Sequence, residues 1–330
     1  MTEGAETQAA RHRRPSRRRW PWLLAALVAI MALPILLVAA LLPWRGDPLA
    51  ELPRGAAPGP VEETRGLREG GRVIRQYEMS DPVLGRIGFV VSLPEPLPAR
   101  PLPLIVVLGG LGTGLKNIRH VPPAGDNVVL GYDWPIPRKL PKGLALIPAL
   151  PDLHRRAFST PGQIAAAVDW AAAQPWADPA RISLLGFSLG AIAAPAAQRL
   201  LEARGRAVAW TVLAYGGAEL GTLVAHHPRI DATGAGPLLG PLAGRLFRPL
   251  EPALHLPHLK GGFLLIGGRD DGLIPERSAR LMRELAPAPK TIRLLDGQHM
   301  GVGRGQEALL QEILGLTEAW LVAQGAVNPR

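Results

Sequence analysis

The feature that most restricts the fold is an alternation of short apolar runs with longer helix-like runs, from about residue 71 to the C-terminus. Short runs rich in Val, Ile and Leu are typical of buried strands, and the longer runs have helical spacing. Strands that alternate with helices predict a mostly parallel sheet with helices on both faces. We therefore expect a three-layer α/β domain over residues 71–330, with ligands at the C-terminal ends of its strands.

Three segments of this domain differ from simple alternation. Residues 72–79 (RVIRQYEM) and 86–93 (RIGFVVSL) are two successive strand-like runs, which predict an antiparallel pair. A helix is predicted over residues 160–174, capped by Thr160 with Pro161 in its first turn. Residues 218–259 have no clear periodicity between two predicted strands, so we expect an irregular insertion there.

The N-terminal part has the composition of a membrane anchor. Residues 20–44 (WPWLLAALVAIMALPILLVAALLPW) contain no charged residue. At about 1.5 Å per residue, roughly twenty apolar residues span a hydrocarbon core of about 30 Å. The preceding tail, residues 1–19, contains six arginines, and the positive-inside rule places it in the cytoplasm. We predict a single transmembrane helix or signal anchor, with an extracytoplasmic (periplasmic) domain after Arg45.

A cleavable signal peptide is the alternative for the same segment. Val38 and Ala40 are small residues of the kind that precede a cleavage site, and cleavage would make the protein secreted. The segment after the anchor, residues 45–70, is rich in Pro, Gly and charged residues, and it predicts a linker between the membrane and the domain.

Composition excludes several classes of function. The chain has 37 Lys and Arg against 27 Asp and Glu, a net charge of +10 to which the tail contributes, but it has no basic stripe interleaved with aromatic residues. We therefore predict no nucleic-acid partner. The chain has no cysteine, which excludes thiol nucleophiles, disulfides and zinc–thiolate sites.

No cofactor or metal site is predicted either. Residues 109–114 (GGLGTG) meet neither the dinucleotide-binding nor the phosphate-loop spacing. Two close pairs of metal-ligand residue types occur, Asp152 with His154 and His255 with His258, but neither has a third ligand at motif spacing.

The segment that points to chemistry is Gly186-Phe187-Ser188-Leu189-Gly190, between a predicted strand and a predicted helix. A serine on such a tight turn has its hydroxyl exposed, and only glycines fit two residues to either side. We therefore expect Ser188 to be a nucleophile rather than part of an ordinary turn.

Serine is a weak nucleophile and needs a base that is itself oriented by a carboxylate. His299 is the candidate base because it lies just past the last predicted strand. Asp270 and Asp271 end the preceding strand, and from the residues alone either is a candidate acid or a cap for the helix after Pro275. The order Ser, Asp, His is one recurring order of the catalytic triad.

GFSLG, GGRDDGLIP and DGQH, in this order on alternating strands and helices, resemble the α/β-hydrolase superfamily. DPARISLLGFSLGA is similar to the nucleophile segment of its dienelactone-hydrolase-like group. The resemblance implies that Ser188 is the nucleophile and His299 the general base. It also implies that Asp271, four residues before Pro275, is the acid rather than Asp270.

The resemblance further implies an oxyanion hole made of two backbone amides, those of Leu189 and Leu111. Gly109 stands where the loop of this superfamily commonly has histidine, a departure from the pattern. Residues 218–259 lie where the superfamily commonly inserts a lid. The apolar residues of this lid either line an acyl pocket or pack on the core; they include Leu220, Leu223, Leu238, Leu239, Leu246 and Phe247.

These observations lead us to expect a membrane-anchored serine hydrolase that cleaves a carboxylic ester or related acyl bond of a small-molecule or lipid-like substrate. Two alternatives are open: a catalytically inactive hydrolase-fold protein that binds or scaffolds, and an acyltransferase with the same triad. The presence of all three triad residues favours catalysis, whereas the choice between water and an alcohol as acceptor is not visible in the sequence.

Overall fold

The computed structural model describes residues 46–56, 59–110, 116–120, 125–136, 148–301 and 305–329, together with Val28. The chain divides into two units, residues 1–43 and 44–330, and the fold described below belongs to the second. None of the helices within the described residues is both long and apolar enough to cross a membrane. The predicted tail and nearly all of the predicted anchor lie outside these residues.

In the described part of the chain, nine strands form one sheet in the order β1-β2-β3-β5-β4-β6-β7-β8-β9. Strands β1, β2, β3 and β5 pair antiparallel in that order, and the neighbours from β5 through β4 to β9 pair parallel. The mostly parallel sheet and the antiparallel β2–β3 pair agree with the prediction. The strands are β1 (Val61–Glu69), β2 (Arg72–Asp81), β3 (Gly85–Pro94), β4 (Leu102–Leu108), β5 (Val128–Asp133), β6 (Ala177–Phe187), β7 (Trp210–Ala214), β8 (Gly262–Gly268) and β9 (Lys290–Leu295).

Helices cover both faces of this sheet and make the expected three layers. The described α-helices are α1 (Pro48–Glu51), α2 (Asn117–His120), α3 (Leu150–Ala172), α4 (Leu189–Ala203), α5 (Leu220–Ala225), α6 (Pro228–Asp231), α7 (Gly236–Leu246), α8 (Pro252–His255), α9 (Glu276–Leu285) and α10 (Glu307–Ala323). Buried residues of α3, α4 and α9 pack on one face, and those of α2 and α10 pack on the other. All seven residues of β4 are buried because helices cover it on both sides.

Helix α3 begins ten residues before the predicted start, so the prediction that Thr160 caps it is wrong. Thr160 and Pro161 lie inside the helix, and the hydroxyls of Ser159 and Thr160 donate to the carbonyl of Arg156, at 3.0 and 2.9 Å. Residues 158–168 are all buried. Their tertiary packing stabilises a helix that Pro161 by itself would interrupt.

The insertion between β7 and β8 is mostly helical rather than irregular. It contains α5, α6, α7 and α8 together with the 3₁₀ turns Arg248–Leu250 and Leu256–His258. Proline lies at the first or second position of α6, α7, α8 and both 3₁₀ turns. Proline at a helix start loses no hydrogen bond, so these prolines are compatible with short helices that lack a clear sequence periodicity.

The linker expected over residues 45–70 is partly replaced by regular structure. Strand β1 lies within it and pairs with β2, and the turn of helix α1 precedes Leu52, whose side chain is buried in the core. Strand β1 is an edge strand with mostly exposed residues, many of them charged. Edge strands commonly have charged side chains, which is why this segment has the composition of a linker.

The pH dependence of stability should reflect the fully buried His255 of α8. Its Nε2 donates to the carbonyl of Pro249 at 2.8 Å, and burial lowers its pKa to about 4. In the unfolded chain a histidine has a pKa of about 6.5, so only the unfolded state binds the proton between these values, and stability falls as pH decreases through this window.

We expect His255→Gln, which keeps a donor but does not titrate, to reduce this pH dependence. Between pH 7 and pH 5 the free energy of unfolding of the wild type should fall by roughly 2 kcal/mol more than that of the variant. Urea unfolding followed by tryptophan fluorescence measures both. If the free energy of unfolding had the same pH dependence in both proteins, the lowered pKa of His255 would be contradicted.

Candidate active site

Ser188 occupies a single-residue turn between β6, which ends at Phe187, and α4, which begins at Leu189. Its φ of 52° and ψ of −114° lie in a region that non-glycine residues rarely adopt. The Ser188 amide donates to the carbonyl of Ala214 on β7 at 2.8 Å, and its carbonyl accepts from the amide of Ala191 at 2.9 Å. These bonds stabilise the strained turn from both sides.

The two glycines of the motif are required by close backbone contacts. A Cβ added to Gly190 would lie 1.9 Å from the carbonyl oxygen of Leu108 on β4. One added to Gly186 would lie 2.6 Å from the carbonyl oxygen of Gly190. The sequence-based expectation that only glycine fits at these positions is therefore confirmed.

Ser188, His299 and Asp271, which are far apart in the sequence, lie in one hydrogen-bonded chain. The Oγ of Ser188 is 2.9 Å from Nε2 of His299. Nδ1 of His299 is 2.8 Å from Oδ2 and 3.1 Å from Oδ1 of Asp271. The hydroxyl can therefore donate to the ring while the ring donates to the carboxylate, the arrangement in which an imidazole accepts a serine proton.

The turn after β8 holds the Asp271 carboxylate in place. Its Oδ1 accepts from the amides of Leu273 and Ile274, at 2.9 and 3.0 Å, and its side chain is 6% exposed. Asp270, the other candidate from sequence, is exposed to solvent. The structure thus brings Asp271, and not its neighbour, to the histidine.

His299 lies in the loop after β9, and two residues that the sequence analysis did not identify contact it. Gln306 donates through Nε2 to the carbonyl of His299 at 3.0 Å. The ring of Tyr215 packs edge to face against the imidazole, with centroids 5.7 Å apart and an interplanar angle of 86°. Together they restrict where the imidazole can point.

Tyr215 is a neutral, apolar wall of the site. It follows β7 with a φ of 56°, it is 1% exposed, and its hydroxyl has no hydrogen-bond partner in the described part of the chain. Burial, and secondarily the negative charge of Asp271, raises its pKa to about 12. Tyr215 therefore contributes no charge near the histidine at neutral pH.

Two backbone segments border the space beside Ser188, where the sequence analysis predicts an oxyanion hole. Leu189 is the first residue of the fifteen-residue helix α4, and amides at a helix N-terminus favour negative charge. From the end of β4, Gly110 faces the serine: a Cβ added to it would lie 3.6 Å from the Cβ of Ser188. Leu111, the second predicted donor, lies outside the described residues.

Gly109 stands where the superfamily commonly has histidine, and the structure shows which side chain occupies the space beside it. A Cβ at this position would lie 2.1 Å from Oδ1 of Asn117, the first residue of α2. The Asn117 side chain is buried, so it fills the space where a side chain of residue 109 would stand. No local sequence pattern predicts this contact, because it depends on how α2 packs against the end of β4.

Of the other residues considered from sequence, His154 has a packing role. Its Nε2 is 3.2 Å from the carbonyl of Leu246, and its ring packs on Phe158 and Phe247. Within the described ranges, no three His, Asp or Glu side chains gather closely enough to hold a metal ion.

No protein-family model matches the chain, and no curated protein has a matching sequence. Solved structures do match its fold. Acetyl xylan esterase 1 from Thermoanaerobacterium sp. JW/SL YS485 is 17% identical with a TM-score of 0.56, over 81% of this chain and 90% of that one. A cold-adapted esterase from an Arctic intertidal metagenomic library is 14% identical with a TM-score of 0.51, over 76% and 97%.

The acylaminoacyl peptidase of Pyrococcus horikoshii matches 80% of this chain but only 49% of its own, at 15% identity and a TM-score of 0.51. At such identities the likeness concerns the fold alone. The chain has the α/β-hydrolase fold that the resemblance of its motifs implied.

A pair of glycine-to-alanine variants tests the close contact at the nucleophile turn. We expect Gly190→Ala to destabilise the protein by several kcal/mol or to prevent folding, because helix α4 would have to move away from β4. Gly315→Ala, in α10 with nothing within 4 Å of the added Cβ, should stabilise by about 0.5–1 kcal/mol. Thermal unfolding of both variants measures this, and equal midpoints would contradict the geometry.

Proposed function

We propose that this protein is a serine hydrolase that cleaves a carboxylic ester or related acyl bond through Ser188, His299 and Asp271. The observation that carries the proposal is the unbroken hydrogen-bonded chain from the Ser188 hydroxyl through the imidazole to the buried carboxylate. A plain structural turn would require neither the base nor the oriented acid.

The geometry supports the following sequence of steps. Nε2 of His299 accepts the proton of Ser188 as Oγ attacks the acyl carbonyl, and Asp271 stabilises the imidazolium that forms. The carbonyl oxygen becomes an oxyanion, which the Leu189 amide and the N-terminus of α4 stabilise. His299 then protonates the leaving group, and water attacks the acyl-enzyme by the same route in reverse.

More specific parts of the proposal depend on the sequence. Within the α/β-hydrolase superfamily we assign the chain to the dienelactone-hydrolase-like group, on the form of its nucleophile segment. The structural neighbours include acetyl xylan esterases and acylaminoacyl peptidases, so their names support hydrolysis of an acyl bond and leave the choice between ester and amide to the activity assay. The uncharged segment 20–44 and the basic tail support a membrane-anchored, periplasmic enzyme.

A fluorophosphonate probe tests the nucleophile directly. The full-length protein in mild detergent should be labelled and should hydrolyse p-nitrophenyl esters, and Ser188→Ala should lose both activities, because the probe and the ester react with the same hydroxyl. Circular dichroism establishes that the variant is folded. A folded wild-type protein that neither reacts with the probe nor hydrolyses any ester would overturn the proposal in favour of a binding role.

The two adjacent aspartates offer a matched pair for testing the acid. Asp271→Asn should lower kcat by roughly 10³- to 10⁴-fold, because the amide cannot stabilise the imidazolium as a carboxylate does. Asp270→Asn makes the same chemical change one residue away on an exposed side chain, and should lower kcat less than about threefold. Steady-state ester hydrolysis measures both, and comparable losses in the two variants would contradict the role of Asp271.

A further inference from the structure

An apolar cavity of about 180 Å³ lies beside helix α4. One wall is the helix face formed by Leu189, Ile192, Ala193 and Ala196, which are spaced as neighbours along one side of a helix. The opposite wall comes from the insertion between β7 and β8, including Leu220 and Phe247. Two of the apolar insertion residues considered from sequence therefore face a cavity.

The cavity presents almost only carbon atoms. Of the described residues that line it, Thr160 and Trp134 are the ones with polar side-chain atoms. The hydroxyl of Thr160 donates to the carbonyl of Arg156 at 2.9 Å. The indole nitrogen of Trp134 has no hydrogen-bond partner among the described residues, but it is buried and presents no accessible surface to the cavity. A charged or strongly hydrated group would lose its water there without gaining a partner.

The position of the cavity relative to the nucleophile gives it a role. Leu189 lines the cavity and directly follows Ser188 in the chain, so this part of the cavity wall adjoins the nucleophile turn. From Leu189 to Ala196 the helix rises by about 10 Å. A chain attached to a carbonyl at Ser188 can thus extend along this face of α4.

We infer that this cavity binds the acyl group of the substrate, and that the preferred acyl group is apolar and has about six carbons; the inference rests on the proposed function. In other proteins, an apolar cavity of about 150 Å³ lined by Leu, Ile and Phe excludes water and binds a six-carbon ring. By comparison, the cavity of about 180 Å³ in this protein has room for an acyl group of about six carbons. The esters expected as substrates are those of medium-length apolar acids rather than acetates or esters of charged acids.

The chain-length preference of the full-length protein tests this inference. With p-nitrophenyl acetate, hexanoate and dodecanoate, kcat/KM should be at least about tenfold higher for hexanoate than for acetate, because burial of each added methylene favours binding. It should fall again for dodecanoate, whose chain exceeds the cavity.

Two variants should change this preference in opposite directions. Ala193→Leu fills the cavity and should lower the hexanoate-to-acetate ratio about tenfold, whereas Phe247→Ala enlarges it and should raise the dodecanoate-to-hexanoate ratio. Ala203→Leu makes the same change as the filling variant on the exposed end of α4, and should keep the wild-type ratios. Labelling of Ser188 by fluorophosphonate in each variant establishes that the site is folded.

The outcomes separate this inference from the proposed function. Labelled, active enzymes that show no chain-length preference, or whose preference neither cavity variant alters, would overturn the acyl assignment and leave the serine hydrolase intact. A wild-type protein that is neither labelled nor active on any ester would overturn both. If the filled variant does not fold, the enlarged variant alone decides, since a cavity that binds the acyl chain must accept a longer one when it is widened.

Discussion

The close approach of helix α4 to strand β4 is the contact on which the rest of the site depends. At Gly190 the helix backbone lies so near the Leu108 carbonyl that no Cβ fits between them. The helix therefore begins directly at the edge of the sheet, and one residue, Ser188, must make the whole reversal. Its positive φ costs of the order of 1–3 kcal/mol. The hydrogen bond to Ala214 and the packing of α4 offset that cost and hold the partly buried hydroxyl beside His299.

The burial of the Asp271 carboxylate imposes a second constraint. An unpaired carboxylate at this depth would be strongly destabilising, so its oxygens need donors. Two of these are the amides of Leu273 and Ile274, which the turn before α9 fixes regardless of the histidine. The Asp271 carboxylate is therefore oriented independently of His299, whose Nδ1 forms a hydrogen bond with it. The Tyr215 ring helps to keep the imidazole there without adding a competing charge.

The sequence predicts the part of this site that depends on local backbone geometry, and it misses what depends on tertiary packing. The glycines around Ser188 are local, whereas the choice of Asp271 over Asp270 came from the resemblance of residues 268–275 to the α/β-hydrolase pattern; the structure brings the Ser188 and Asp271 side chains to one histidine. Tyr215 was missed because its contact with His299 joins distant parts of the chain, and Asn117 because its contact with Gly109 depends on how α2 packs against the end of β4. For the same reason Pro161 does not end α3, since burial on the sheet outweighs the cost of the proline.

A second, larger cleft shows why position and chemistry, rather than volume, identify the acyl site. It measures about 680 Å³ and shares Trp134 with the apolar cavity, but its described lining does not include Leu189, the residue that follows the nucleophile and lines the apolar cavity. Its charges are satisfied internally: Asp152 accepts from both Arg155 and Arg156, which lowers its pKa, and Arg86 pairs with a glutamate of β2. Such paired, solvated groups offer little free charge to a ligand. The smaller cavity adjoins the nucleophile turn through Leu189, and an apolar acyl chain bound in it is removed from water. The free energy of that burial can then favour the reaction at Ser188.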